Sequence, residues 1–273
     1  MQAFLRWTPP VGTLGTICQE AEARAALLES RGAELERMAS IAAPAPSLAA
    51  AVRGFDVALI AEVKRRSPSK GAIAPTLDAP TQAQAYVAGG AAAISVLTEP
   101  AHFGGSNSDL RAVRAAVAAP ALKKDFHVRP IQLVEARGLG ASAALLIARA
   151  LSPDRLREMT DTARRLELEV LIEVRDEAEL ERALDCGASM IGVNNRDLET
   201  LIIDPSTAER IVPLIPSGVV AIAESGVSSR SDVERYADCG ADAVLVGSSI
   251  SAAADPTGAT RALAGVPRRA RGH

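Results

Sequence analysis

A chain of 273 residues that is 48% apolar and 23% charged has the balance of a globular protein able to bury a large core, and not that of a disordered chain. Its formal charge of −3 and pI near 5.8 argue against a surface built for nucleic acid, because such binders carry a basic patch or a pI above about 9. No stretch approaches the roughly 18 unbroken apolar residues of a membrane span, and with only 3% aromatic residues the core must be aliphatic.

Residues 1–56 read as an extension ahead of the first strand. The start, MQAFLRWTPP, lacks a basic lead followed by an apolar run, so no signal peptide is expected. EARAALLESRGAELERM is periodic in Ala, Leu and Met and predicts helix. Pro44-Ala45-Pro46 breaks it ahead of a second short helix near Leu48–Val52.

Eight short apolar runs then recur between amphipathic stretches. They are VALIAEV at 57–63, AAISVL at 92–97, ALKK at 121–124, SAALLI at 142–147, EVLIEV at 169–174, SMIGVN at 189–194, VVAIAE at 219–224 and DAVLVG at 242–247. They are continuous and not alternating, as parallel strands covered on the outside by helices should be. Helix-length segments separate them, with start signals at Ser152-Pro153-Asp154 and Asp204-Pro205-Ser206.

Gly-Ala pairs at Gly90, Gly140, Gly187 and Gly240 recur at intervals of 50, 47 and 53 residues, two βα units per interval. Eight strands at about one unit per 25 residues predict a closed (β/α)8 TIM barrel over 57–266, with 1–56 as an N-terminal helical extension. An open doubly wound sheet is the alternative. Residues 267–273 are expected to fray, leaving Arg268, Arg269 and Arg271 solvated.

Cys18, Cys186 and Cys239 form no CxxC pair and are odd in number, which fits a reducing compartment and predicts a cytoplasmic protein. His102, His127 and His273 show no metal-ligand spacing, so neither a metal nor another cofactor is expected.

In a barrel the C-terminal strand ends face the active site, so ionisable residues closing apolar strands carry the functional signal. The first strand ends in Glu62-Val63-Lys64, whose period of two puts Glu62 and Lys64 on one face. The third ends in Lys123-Lys124-Asp125, the fifth in Glu173, the sixth in Asn194 and the seventh in Glu224-Ser225-Gly226. Singly, each has a structural reading: an ion pair, a solvated end, a surface charge or a loop cap. Together, acids and lysines converging on one mouth are better explained by a charged small-molecule substrate and acid–base chemistry, since unpartnered buried charge costs several kcal/mol. Gly247 and Ser248 after the last strand, Gly226 after the seventh and Ser67 after the first suit a phosphate, because glycine lets backbone N–H groups approach closely.

IAEVKRRSPSKG, LKKDF, LIEV, IGVNNRDL, AESG and VGSS, in this order, resemble the strand-end motifs of indole-3-glycerol-phosphate synthases over about residues 55–250. The resemblance implies ring closure of 1-(2-carboxyphenylamino)-1-deoxyribulose 5-phosphate with loss of carbon dioxide and water. It also implies roles: Lys64 for the substrate carboxylate, Lys124 as general acid, and Glu173 for dehydration. Glu62, Asn194, Glu224 and Ser225 would complete the site, and Ser67, Gly226, Gly247 and Ser248 would take the phosphate.

Which lysine protonates at the second step, and whether Glu62 or Glu173 is the base, stays open. His127, Arg129 and Arg175 depart from the family pattern, and the N-terminal segment matches it poorly. Two alternatives fit the sequence less well. A phosphoribosylanthranilate isomerase barrel would need a cysteine base where Glu62-Val63-Lys64 stands. A non-catalytic ligand-binding barrel would gain nothing from crowded charge.

Overall fold

The computed structural model describes residues 7–271; Met1–Arg6, Gly272 and His273 lie outside the described residues, and with them most of the segment read for a signal peptide. The eight apolar runs form eight parallel strands: β1 (Ala58–Val63), β2 (Ala93–Leu97), β3 (Ala121–Lys124), β4 (Ala143–Ile147), β5 (Glu169–Val174), β6 (Met190–Asn194), β7 (Val220–Glu224) and β8 (Ala243–Val246). Each pairs with its neighbours in order, and β8 closes on β1 with Ala58 opposite Ala243 and Ala61 opposite Val246. Closure rules out the open sheet and leaves this sheet without an edge. The strands are buried along almost their whole length on both faces, which is why they read as continuous apolar runs.

Helices return the chain between strands. Ser152 accepts a hydrogen bond from the Arg155 N–H at the start of helix Pro153–Arg165, as the Ser-Pro-Asp signal requires. All four repeat glycines have φ between 72° and 101°, the left-handed turn that ends a helix ahead of the next strand.

The extension is more broken than its periodicity suggests. α1 (Gly12–Glu29) begins well before the periodic stretch, and the chain turns at Ser30-Arg31 into α2 (Gly32–Ile41), followed by α3 (Leu48–Ala51). α1 buries Leu14, Ile17, Ala21 and Ala25 on one stripe. α3 is fixed to the opposite, N-terminal end of the barrel. There the Glu169 carboxylate at the start of β5 accepts from the Leu48 and Ala49 N–H groups at 2.8 and 3.0 Å and from the Ser47 hydroxyl at 2.5 Å. The extension therefore runs from one mouth of the barrel to the other.

The frayed tail is corrected for residues 267–271. Pro267 bridges Asp56, the Arg268 N–H donates to the Phe55 carbonyl, and the Arg268 and Arg271 guanidiniums share the Asp242 carboxylate at 2.6 and 2.8 Å. The Arg271 side chain is 4% exposed, donating also to the Gly240 and Val219 carbonyls. Arg269, 69% exposed beside Asp238, stays solvated as expected; Arg268 and Arg271 read as solvated only while their acidic partner, distant in sequence, is unknown.

Removing Asp242 leaves two guanidiniums without their counter-charge and the Ala221 N–H without its acceptor. Asp242→Ala should lower the unfolding free energy by about 2–4 kcal/mol in urea titration. Its turnover per folded molecule should match the parent, since the contact lies at the end of the barrel away from the strand C-termini.

Candidate active site

A cavity of about 320 Å³ opens at the C-terminal ends of the strands, and Glu62, Lys64, Lys124, Glu173, Asn194, Glu224, Ser225, Ser67, Gly226, Gly247 and Ser248 all line it. Every site residue read from the sequence is thus brought to one cavity. Strand parity decides which charges enter: Lys124, Glu173, Asn194 and Glu224 face the lumen, while Lys123 faces outward. Lys123 is no surface charge. It is 2% exposed and pairs with Glu135 of helix Pro130–Gly138 at 3.2 Å and with Asp125 at 3.6 Å.

The lumen charges form two linked groups. Lys64 Nζ lies 2.5 Å from Glu62 Oε1, while Lys124 Nζ lies 2.8 Å from Glu224 Oε2 and 3.5 Å from Glu173 Oε2. Burial opposes the charge on Lys124, but Glu224, Glu173 and Glu62 outweigh it and raise the ammonium above the ordinary lysine range. Burial also opposes ionisation of Glu62, yet Lys64 and Lys124 hold that carboxyl below its usual value. Glu224 goes the other way. Burial, reinforced by Glu173 and Glu62 and opposed by Lys124, pushes it up to about 7. Lys64 holds Glu62, while Lys124 faces both Glu224 and Glu173, and Glu224 is the carboxyl left partly protonated near neutrality.

Backbone geometry makes room for this crowding. Glu224 Oε1, buried and without a hydrogen-bond partner, occupies the space that a side chain at Gly192 of β6 would fill. A Cβ on Gly247 would overlap Glu62 Oε1 and stand 3.0 Å from Lys64 Nζ. Gly247 therefore serves the Glu62–Lys64 pair as well as any close approach by phosphate. Ser225 and Gly226 are both left-handed, at φ 66° and 88°, turning the chain sharply beneath the cavity mouth. Ser251, in the short helix Ser248–Ser251, donates to the Glu62 carbonyl at 3.0 Å and so ties that helix to β1. The Ser67 hydroxyl accepts from the Lys70 N–H at 3.3 Å.

Several lining residues escaped the sequence reading. Arg196 follows Asn194 by two residues, so extending the same alternation past the strand end would have found it. Burial lowers its pKa, and Glu62 opposes that shift. Thr13, Leu14 and Ile17 bring α1 into the wall, and Phe103 and Phe126 add an aromatic side with ring centroids 6.1 Å apart. No local pattern marks these, because they come from loops and from the extension.

The three departures from the family pattern lie outside the charged centre. Arg129 pairs with Glu22 of α1 at 2.5 Å, and Arg175 pairs with Asp197 at 3.4 Å. His127 is buried, donates from Nδ1 to the Leu145 carbonyl at 2.8 Å and leaves Nε2 without a partner. His102, unremarkable in sequence, meets Glu20 and Glu99, and the ligand atoms of the three lie within 4.8 Å of one another. Glu99 is already engaged, accepting from the N–H groups of Ala101, His102 and Phe103.

A closed (β/α)8 barrel that gathers two lysines and three glutamates at its strand ends is an acid–base barrel enzyme. Comparison with known proteins narrows the class. The model of the indole-3-glycerol phosphate synthase family matches residues 14–263, taking in most of α1 as well as the strand motifs. An indole-3-glycerol phosphate synthase of a Nocardioides species is 53% identical over 214 residues, covering 78% of this chain and 82% of the relative. One from Streptomyces griseus is 50% identical over 230 residues, covering 84% and 86%. Among solved structures, 3-hexulose-6-phosphate synthase from Salmonella typhimurium superposes with a TM-score of 0.61 at 18% identity, covering 76% of this chain and 96% of its own, a likeness of fold alone.

The chain belongs to the indole-3-glycerol phosphate synthase family. Its reaction is the ring closure of 1-(2-carboxyphenylamino)-1-deoxyribulose 5-phosphate to indole-3-glycerol phosphate in tryptophan biosynthesis, with loss of carbon dioxide and water.

Two outcomes follow from this geometry. Gly247→Ala should lower kcat by at least about 10²-fold and not merely raise KM, because its methyl group displaces the Glu62–Lys64 pair; an unchanged kcat would contradict that. The second concerns acid. Burial first, and then Lys123, lower His127 from 6.5 to about 4. In the window between those values the unfolded chain binds the proton that the folded chain refuses. The associated stability is therefore complete above about pH 6.5 and lost as pH falls toward 4, by roughly 2–3 kcal/mol. His127→Leu should flatten that part of the curve of unfolding free energy against pH, and an unchanged slope would exclude His127 as its source.

Proposed function

We propose that Lys64 holds the substrate carboxylate, Lys124 is the general acid at the ribulose carbonyl and Glu173 serves the dehydration. Glu62, Asn194, Glu224 and Ser225 complete the catalytic set, and Ser67, Gly226, Gly247 and Ser248 receive the phosphate. The observation that carries this reading is the buried Lys124 ammonium held between Glu224 and Glu173. Attack of the aromatic carbon on the carbonyl places negative charge on its oxygen, and a preorganised ammonium stabilises that charge and passes a proton to it. Carbon dioxide then leaves with its bonding electrons returned to the ring, and the new hydroxyl departs as water after protonation while a base takes a proton from the adjacent methylene carbon, which forms the double bond of the indole.

The role of Glu173 in that loss is supported by its distance of 3.5 Å from Lys124, across which the two exchange a proton. Lys64, bound to Glu62 and reaching the cavity, offers a fixed charge to a carboxylate that is ionised before any chemistry begins. In this reading the partner is a small molecule bearing a carboxylate and a phosphate. Among the described residues no helix is long and apolar enough to cross a membrane, and the three cysteines are unpaired. Both are compatible with the cytoplasm we assign.

Lys124→Met should reduce the single-turnover rate by about 10²–10⁴-fold while substrate still binds, because the lost interaction develops in the transition state. Lys64→Met should show the opposite bias. Rapid-quench turnover and equilibrium binding, measured separately on both folded variants, separate the roles. A Lys124→Met protein with near-parental chemistry overturns the assignment.

A further inference from the structure

A phosphate ester brings close to two negative charges into the cavity, and the substrate carboxylate brings another. The cations that can meet them are few. Among the described residues, Lys64, Lys124, Arg196 and Lys70 are the positively charged residues on the wall. Lys64 is held by Glu62, and Lys124 is shared by Glu224 and Glu173. Arg196 reaches inward, where Glu62 acts on it, and donates to the Leu201 carbonyl at 2.9 Å. Asp125, the remaining wall acid, is met by Arg24 at 3.1 Å and Lys123 at 3.6 Å. The lumen is thus balanced without Lys70, which makes no ion pair among the described residues.

The position of Lys70 matches the charge it leaves free. It lies in the turn of a small hairpin, Arg66–Ser67 paired with Gly71–Ala72, that follows β1. β1 pairs with β8 and β8 with β7, so the loop after β1 stands beside the loops that carry Gly247, Ser248 and Gly226. Its backbone N–H is fixed to Ser67 Oγ at 3.3 Å, which leaves the ammonium as the adjustable part. Gly71, at φ 66°, lets the hairpin turn there, and a Cβ on it would meet nothing within 4 Å. Neutral backbone donors and hydroxyls alone would leave the net charge of the phosphate uncompensated.

We propose that Lys70 is the counter-cation of the substrate phosphate, a binding residue that closes the phosphate corner from the hairpin after β1. This rests on the assignment of phosphate to Ser67, Gly226, Gly247 and Ser248. The contact forms at the rim, so it acts on ground-state binding and encounter, and it weakens as salt rises.

The test compares the full-length parent with Lys70→Met, Lys70→Arg and Ser248→Ala, measuring kcat and KM for the carboxyphenylamino-deoxyribulose phosphate and the competitive inhibition constant of inorganic phosphate. Lys70→Met should raise both KM and the phosphate inhibition constant roughly threefold to tenfold at low ionic strength, with kcat changed less than about twofold and with a weaker dependence of KM on salt. Lys70→Arg should restore most of the loss. A Lys70→Met protein with parental KM and phosphate inhibition, or one that loses kcat at unchanged KM, overturns the role. If Ser248→Ala weakens phosphate inhibition while Lys70→Met does not, the lysine inference fails alone. If neither variant moves it, the lysine inference fails and the Ser248 hydroxyl is excluded with it, which leaves the phosphate to the backbone N–H groups that Ser248→Ala retains.

Discussion

The buried Lys124 ammonium governs the rest of the site. A lysine taken out of water must be met by carboxylates, and here Glu224 and Glu173 meet it from β7 and β5 while Glu62 adds to the field from β1. Strands from opposite sides of the barrel are thereby committed to one point. Only a closed barrel presents side chains of the third, fifth and seventh strands to a common centre, so the fold is a condition of the charge cluster. The cluster dictates sequence in return: Gly192 and Gly247 stand where any side chain would meet the Glu224 or Glu62 carboxylate. These glycines answer a demand of the charges before any demand of the ligand.

Such a cluster is costly to fold, and the molecule places its compensation elsewhere. At the N-terminal ends of the strands Asp242 gathers Arg268 and Arg271, and Glu169 holds α3, with side chains whose geometry is independent of the lumen. Near the catalytic end, Arg24 of α1 reaches Glu99 and Asp125, and Arg129 reaches Glu22, so the extension is bound by ion pairs to the rim it covers. α1 is consequently part of the cavity wall. Its Leu14 and Ile17 face the same space as Lys64 and Glu173, and they keep one side of that space apolar.

How much of this was legible in the sequence follows from how local each signal is. The eight strands were readable because burial on both faces leaves a continuous apolar run, and the Glu62–Lys64 alternation was readable because a strand fixes which side chains share a face. The choice between Lys123 and Lys124 was not, since two adjacent lysines look alike until one residue of the strand is anchored to the lumen. Arg268 and Arg271 looked solvated because Asp242 lies more than twenty residues away in the chain. The break of the extension at Ser30-Arg31 was hidden inside an unbroken helical periodicity. Leu14, Ile17, Phe103 and Lys70 had no signal at all: each reaches the cavity from a loop or an outer helix, where neither periodicity nor a strand end marks the position.

On the roles proposed for Lys64 and Lys124, the two linked ion groups also account for the use of two lysines. A single ammonium would have to satisfy the substrate carboxylate in the ground state and the carbonyl oxygen in the transition state, and energy given to the first does not lower the barrier to the second. Dividing the charges lets Lys64 keep its own partner, Glu62, and meet a group already ionised. Lys124, held by Glu224 and Glu173, would by the same proposal remain charged until the reaction itself supplies an oxygen that competes for its proton. Glu224, raised to about 7 by burial and by its neighbouring carboxylates, then completes the balance. Under the proposed roles, carbon dioxide leaves as a neutral molecule whose bonding electrons cancel the positive charge that closure placed on the aromatic ring, so the proton that turns the new hydroxyl into water is drawn from the cluster itself.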